Sequence, residues 1–362
     1  MPPGRDRRVV IDRLRSLRQR HRRVDAGLRF LRAHWLETVA AVSLAALLIA
    51  VDPIKLAGIL RRSQPIDILL MLPTVVFVYA LRGAGWWVAL RHLGVRISLF
   101  RATYIMFAGQ TLIFMPTGDL ARVAMVERTG ASGVDQGAIA GSIAFQELLF
   151  MGLLGLGVLP RLASHPDIAL LVLVMTLAHV GIFVILLWKP AYDGAVSLVE
   201  RVRLLRRFDP QLRSLRPAFT RMMAPRNLGG VIGCNALAAA AMFVLFYLAL
   251  RAVGVQHIAF GEATFVYGLA HLLSGLSLLP GGVGSMEAIV TVLLARRGVP
   301  TYQGAAAAIL FRGFNDVVMA AVGAVAGLEV RRESEHRGER ADRGRPTSQL
   351  LDVPEDDAGR ER

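Results

Sequence analysis

The chain has 362 residues, 54% of them hydrophobic and 19% charged, with a formal net charge of +15 and a mean hydropathy of +0.49. Apolar runs of roughly 16 to 25 residues recur along it, the length a helix needs to cross a bilayer, which excludes a water-soluble globular domain. The basic excess lies between those runs without any nucleic-acid motif, so it reads as positive-inside topology and contact with anionic lipid, with no nucleic acid as partner.

Residues 1–35 carry eleven arginines, and Val10, Leu14, Leu17, Val24, Leu28 and Leu31 recur at steps of three, four or seven. This is the pattern of a basic amphipathic segment on the inner leaflet; a basic tail without fixed structure is the alternative. No small-x-small cleavage site follows the first apolar run, 36–51, so a secretory signal peptide is disfavoured. Cys234 is the only cysteine, which rules out an internal disulfide.

Further apolar segments lie at 66–90, 99–116, 138–160, 168–188, 229–250, 263–279, 285–295 and 304–328. If every early segment crossed, the loop 189–228 would fall outside, yet it holds nine basic residues against three acidic ones. One early segment must therefore not cross. The best candidate is 99–116, which ends in Met115-Pro116-Thr117-Gly118 and is followed by the mixed stretch from Asp119 to Arg128. A helix that enters from the cytoplasm, turns at Pro116 to Gly118 and returns restores the parity.

The same plan recurs at 263–279, Pro280 to Gly284 and 285–295. Proline lacks a donor and Gly281, Gly282 and Gly284 admit backbone conformations closed to other residues, so the turn is specified. Irregular backbone at membrane depth must line protein or a wet cavity. Arg128-Thr129-Gly130 followed by Gln136-Gly137-Ala138 resembles Arg296-Arg297-Gly298 followed by Gln303-Gly304-Ala305. The expected fold is thus an all-α polytopic membrane protein of about 6 to 8 transmembrane helices, with two re-entrant helical hairpins. Its repeats, 66–160 and 229–328, would be inverted and joined by the basic cytoplasmic loop 189–228. Residues 36–328 form the membrane domain. The tail 329–362, rich in Arg, Glu, Asp and Gly, is expected to be disordered, and both termini cytoplasmic.

A charge at the centre of a span costs roughly 2.5 to 3.5 kcal/mol on insertion scales, so such residues tend to face a cavity and carry function. They are Asp119, Arg122, Gln146, Glu147, Glu287, Arg312, Asn315 and Asp316. In the repeat alignment Gln146 and Glu147 fall close to Arg312, and Asp119 and Arg122 close to Ser285 and Glu287. Arg312 and Arg122 are the candidates to grip an anionic headgroup, because a guanidinium binds phosphate bidentately and stays charged. The helix starts after Gly118 and Gly284 would add N–H donors. Glu147 and Glu287 would pair the arginines or bind a coupling proton. The competing reading is a set of buried ion pairs that only fixes helix packing.

Enzyme signatures are weak. Gly282-Val283-Gly284-Ser285 superficially resembles a serine nucleophile loop with His271 upstream, but base and orienter are not convincingly spaced. His165, His179 and His271 form no metal cluster by spacing, and no Walker or dinucleotide glycine motif occurs. No cofactor is expected.

Three stretches carry a family resemblance: Gly109 to Arg122 (Gly-Gln-Thr-Leu-Ile-Phe-Met-Pro-Thr-Gly-Asp-Leu-Ala-Arg), Leu279 to Glu287 (Leu-Pro-Gly-Gly-Val-Gly-Ser-Met-Glu) and Ala308 to Arg312 (Ala-Ile-Leu-Phe-Arg). Over residues 36–328 the chain resembles the transmembrane region of lysylphosphatidylglycerol synthases and the flippase-like proteins similar to it. The resemblance implies movement of an anionic phospholipid or polyprenyl-phosphate-linked lipid across the cytoplasmic membrane, with a second copy or a separate lipid-modifying enzyme as partners it leaves open. A membrane partner that docks a separate synthase or glycosyltransferase is the alternative, and an intramembrane lipid-modifying enzyme a weaker one. The 34 residues after Leu328 cannot hold the aminoacyl-transferase domain of the bifunctional relatives, so the chain is not expected to be an enzyme. Where an acidic-basic pair is expected near residue 147, the chain has Gln146-Glu147.

Overall fold

The computed structural model describes residues 58, 61–110, 118–128, 135–201, 209–275, 284–319, 321–323 and 325. Five helices are long and apolar enough to cross a membrane: Pro65–His92, Gln136–Leu162, Pro166–Leu187, Leu228–Ala252 and Thr301–Gly323. The chain is a multi-pass helical membrane protein. The basic segment 1–35, the run 36–51, the tail 329–362 and most of both expected hairpin turns, Pro116, Thr117, Pro280, Gly281 and Gly282 included, lie outside the described residues.

In chain order the elements are α1 (Pro65–His92), α2 (Leu99–Gln110), α3 (Gly118–Arg128), α4 (Gln136–Leu156), α5 (Leu159–Leu162), α6 (Pro166–Leu187), α7 (Lys189–Arg201), α8 (Asp209–Met222), α9 (Pro225–Ala252), α10 (Phe260–Gly275), α11 (Ser285–Ala295) and α12 (Thr301–Arg312). A π-helical segment, Gly313–Val318, continues α12. Helices α1 and α9 are built alike. Each is 28 residues long, starts on a proline whose missing N–H costs nothing in a first turn, and carries arginine in its last turn. Each then ends in the same way: after Ala89-Leu90-Arg91 and Ala249-Leu250-Arg251 the chain turns at Gly94 (φ +85°) and Gly254 (φ +83°). The N–H groups of Val95 and Val255 donate back to the carbonyls of Leu90 and Leu250 at 3.0 and 2.9 Å, satisfying carbonyls that a helix end leaves open.

These two helices pack along their whole length, head to tail. The N–H of Gln64 donates to the carbonyl of Ala252 at 3.0 Å, Arg251 lies 3.7 Å from Asp67, and Gly85 sits against Cys234 and Asn235. Two spans of one chain run antiparallel only when an even number of crossings lies between them. Helices α4 and α6 supply two, whereas a further crossing by α2 would make α1 and α9 parallel. The antiparallel packing of α1 and α9 agrees with the two crossings of α4 and α6 between them.

The second pair of short helices is equally informative. At 1.5 Å per residue α10 and α11 are about 24 and 17 Å long, short of the roughly 30 Å hydrocarbon core. Arg297, just beyond α11, is ion-paired with Glu262 in the first turn of α10, so the open ends of the pair meet at one end of the bundle. Gly275, at the far end of α10, touches Met151 of α4, well inside that span.

Segment 189–228 differs from the expected loop: its described residues form α7, α8 and the start of α9. The charge density masked amphipathic helices, in which Tyr192, Val196, Ala218, Phe219 and Met222 are buried. The Phe219 ring packs edge-on against Phe145 of α4 with centroids 5.0 Å apart, and Arg216 donates to the carbonyl of Leu187 at 2.8 Å.

Candidate functional site

Glu147, Glu287, Arg312 and Asp316, four of the charged residues predicted from the sequence, line one cavity of about 730 Å³ between α1, α4, α9, α10, α11 and α12. The first half supplies a triplet around an acid. Glu147 on α4 accepts from Arg82 of α1 at 2.5 Å and from Arg122 of α3 at 3.3 Å. The Arg82 guanidinium lies over the Phe150 ring, 4.4 Å from its centroid, an arrangement that stabilises a cation away from water. Arg122 is the deeper of the two; its side chain is 2% exposed, against 36% for Glu147. Its stem lies so close to Gly109 that a Cβ there would come within 2.9 Å of it.

The second half supplies a triplet around a base. Arg312, at the end of α12, is ion-paired with Glu287 of α11 and with Asp316. Glu287 is almost fully buried, and its other oxygen accepts the N–H of Gly284 at 2.8 Å, capping α11. Gly284 has φ +82°, a conformation that strains any residue with a side chain, so glycine is required where the helix restarts. The π-helical segment carries Asn315 and Asp316. Its wider turn brings the Asn315 amide within 2.6 Å of Asp316 and the Asn315 side-chain oxygen within 3.2 Å of the Tyr79 hydroxyl, which donates to it. That hydroxyl ties the second triplet to α1, the helix that carries Arg82.

Glu147, Glu287, Arg312, Asn315 and Asp316 all line the cavity. Arg122 stands behind it, bonded to Glu147. Gln146 does not face it. Successive residues on a helix point about 100° apart, so Gln146 and Glu147 cannot share a direction. Gln146 instead donates to the carbonyl of Arg82 at 2.6 Å, fastening α4 to α1 beside the hydrogen bond from the Trp86 indole to Ser142 at 2.9 Å. Asp119 lies in the first turn of α3; its side chain is outside the described residues. Ser285 begins α11 and is not part of the cavity wall.

Arg82 and Tyr79 were missed by the sequence reading, although Arg82 is a charge inside an apolar run and meets the criterion that picked out Arg122. It supplies the basic partner expected near residue 147, from α1 instead of from the residue next to it. His271, Tyr267 and Ser274 complete the polar lining, and the rest of the wall is apolar, with Phe150, Phe246 and Phe311 as its phenylalanines.

A helical bundle with a paired-charge cavity at the junction of two similarly built halves is matched by one family model, the lysylphosphatidylglycerol synthase transmembrane region, over residues 36–323. The chain belongs to that family. Among curated proteins none matches it. The family match covers every described charge of the cavity, from Arg82 to Asp316, and supports a membrane role connected with lipid.

Proposed function

We propose that this member of the lysylphosphatidylglycerol synthase transmembrane-region family translocates a lipid with an anionic headgroup, an anionic phospholipid or a polyprenyl-phosphate-linked lipid, across the cytoplasmic membrane. The observation that carries the proposal is the central cavity, whose wall is mostly apolar but holds the guanidiniums of Arg82 and Arg312, a group that binds phosphate bidentately, among aromatic side chains fit for acyl or prenyl chains. Broken helices flanking such a cavity are how inverted-repeat transporters bring polar groups to the membrane interior. In this reading α2–α3 and α10–α11 are re-entrant hairpins, both termini and the α7–α8 segment are cytoplasmic, and the chain performs no covalent chemistry.

The test is reconstitution. Purified protein in liposomes carrying a trace of fluorescent phosphatidylglycerol is treated with a membrane-impermeant quencher. Translocase activity makes the inner-leaflet fraction quenchable at a rate that scales with protein per vesicle. A rate equal to that of protein-free liposomes, for both phosphatidylglycerol and a labelled polyprenyl phosphate, would refute the proposal.

A further inference from the structure

We propose that His271 binds a proton that travels with the anionic headgroup, making the chain a proton-coupled lipid translocase; this rests on the translocase reading above. Three arginines and three carboxylates, Arg82, Arg122 and Arg312 against Glu147, Glu287 and Asp316, are committed to one another around the cavity among the described residues. A phosphate that entered there would bring its negative charge beside Glu147, Glu287 and Asp316 in a low-dielectric wall, which is costly unless a positive charge arrives with it.

His271 is the cavity-lining group able to supply that charge. It stands on α10 four residues before the helix ends, four residues after Tyr267 and on the same helix face, with its imidazole stacked on the phenol ring at a centroid separation of 5.9 Å and an interplanar angle of 30°. The stack fixes the ring at the cavity wall. Its nitrogens have no hydrogen-bond or ion-pair partner among the described residues, unlike the six charged groups around it; the backbone carbonyl alone is engaged, by the Ser274 hydroxyl at 3.0 Å. The charged groups that line the cavity with it from neighbouring elements are Arg82 of α1, Glu147 of α4, Glu287 of α11, Arg312 of α12 and Asp316 of the π-helical segment. Once a phosphate engages the two arginines, its negative charge favours the imidazolium. Proton and anion therefore bind with positive coupling, and each must strengthen the other's binding by the same factor. The cycle balances without another reactant: water on one side gives a proton to the imidazole, and the proton leaves to water on the other side when the lipid does.

The experiment uses the full chain in liposomes with fluorescent phosphatidylglycerol, a pH-sensitive dye in the lumen and an imposed pH gradient. Wild-type translocation should accelerate several-fold when the gradient runs in the direction of lipid movement, and luminal pH should change only when lipid is moved. His271→Asn should lose the gradient response. In detergent, wild-type protein should take up a proton on binding phosphatidylglycerol, measured by calorimetry in buffers of different ionisation enthalpy, and bind less tightly as pH rises. This binding measurement needs no variant. Translocation that ignores the gradient, a His271→Asn protein that still responds, or binding without proton uptake would each overturn the coupling while leaving the translocase reading intact. Absence of all translocation would overturn both.

Discussion

The two halves of the cavity are built on one plan with the signs reversed. In the first, a spanning helix presents an acid, Glu147, between Arg82 and Arg122; in the second, a spanning helix presents a base, Arg312, between Glu287 and Asp316. In both, the charge on the short helix is the more buried partner: the Arg122 side chain is 2% exposed and that of Glu287 1%, against 36% for Glu147 and 14% for Arg312. The difference teaches that the two halves match in geometry more than in residue type. Positions that correspond in the fold carry opposite charges, and the wall of the cavity gains a polarity that neither half has alone.

The sharpest way to break this comparison is topological. If the halves are inverted, single cysteines placed at Arg91 and Arg251 in a Cys234→Ala background should label from opposite sides of the membrane, all or none. Labelling of both from the same side would show that α1 and α9 run parallel and that the two halves are not inverted.

Removing a central charge should have the largest energetic effect. Glu147→Gln takes away the carboxylate to which Arg82 and Arg122 are bonded, and removing one partner of a buried ion pair costs about 3–5 kcal/mol. Membrane abundance should fall severely, and wild-type abundance would mean that water or lipid already neutralises the arginines. Asp316→Asn tests the other half more gently, because Arg312 keeps Glu287. A loss of about 1–3 kcal/mol is expected, read as a lower unfolding midpoint in detergent. A loss equal to that of Glu147→Gln would deny the difference between a central and a flanking charge.

The smallest effect belongs to the packing between α1 and α4. Ser142→Ala removes the acceptor of the Trp86 indole, and hydrogen bonds between membrane helices average about 0.6 kcal/mol. A shift of several kcal/mol would mark that contact as more than packing.

Much of this architecture is legible in the chain. Apolar run length locates the spans, and charge inside apolar sequence finds Glu147, Glu287, Arg312 and Asp316. What the sequence hides follows from physical causes. Helix phase decides whether Gln146 or Glu147 faces the cavity, and phase is set by packing against α1. Arg82 lies on a helix read only as a span, and its partner is distant in the chain. The amphipathic pattern of α7 and α8 is diluted by charges, so burial of Phe219 becomes visible only when α4 lies beneath it. The repeat of Ala-Leu-Arg-x-x-Gly-Val at the ends of α1 and α9 is shorter than the hairpin motifs and gains meaning from the two left-handed glycines.

The central claim is that both triplets serve one headgroup site. The most direct measurement is the rate of phosphatidylglycerol translocation in liposomes by Arg82→Lys and Arg312→Lys, each matched to wild type for inserted protein. Lysine keeps the charge and loses the planar fork that grips a phosphate, so both rates should fall by roughly tenfold or more with normal abundance. Wild-type rates from both variants would contradict the account and return the triplets to a packing role.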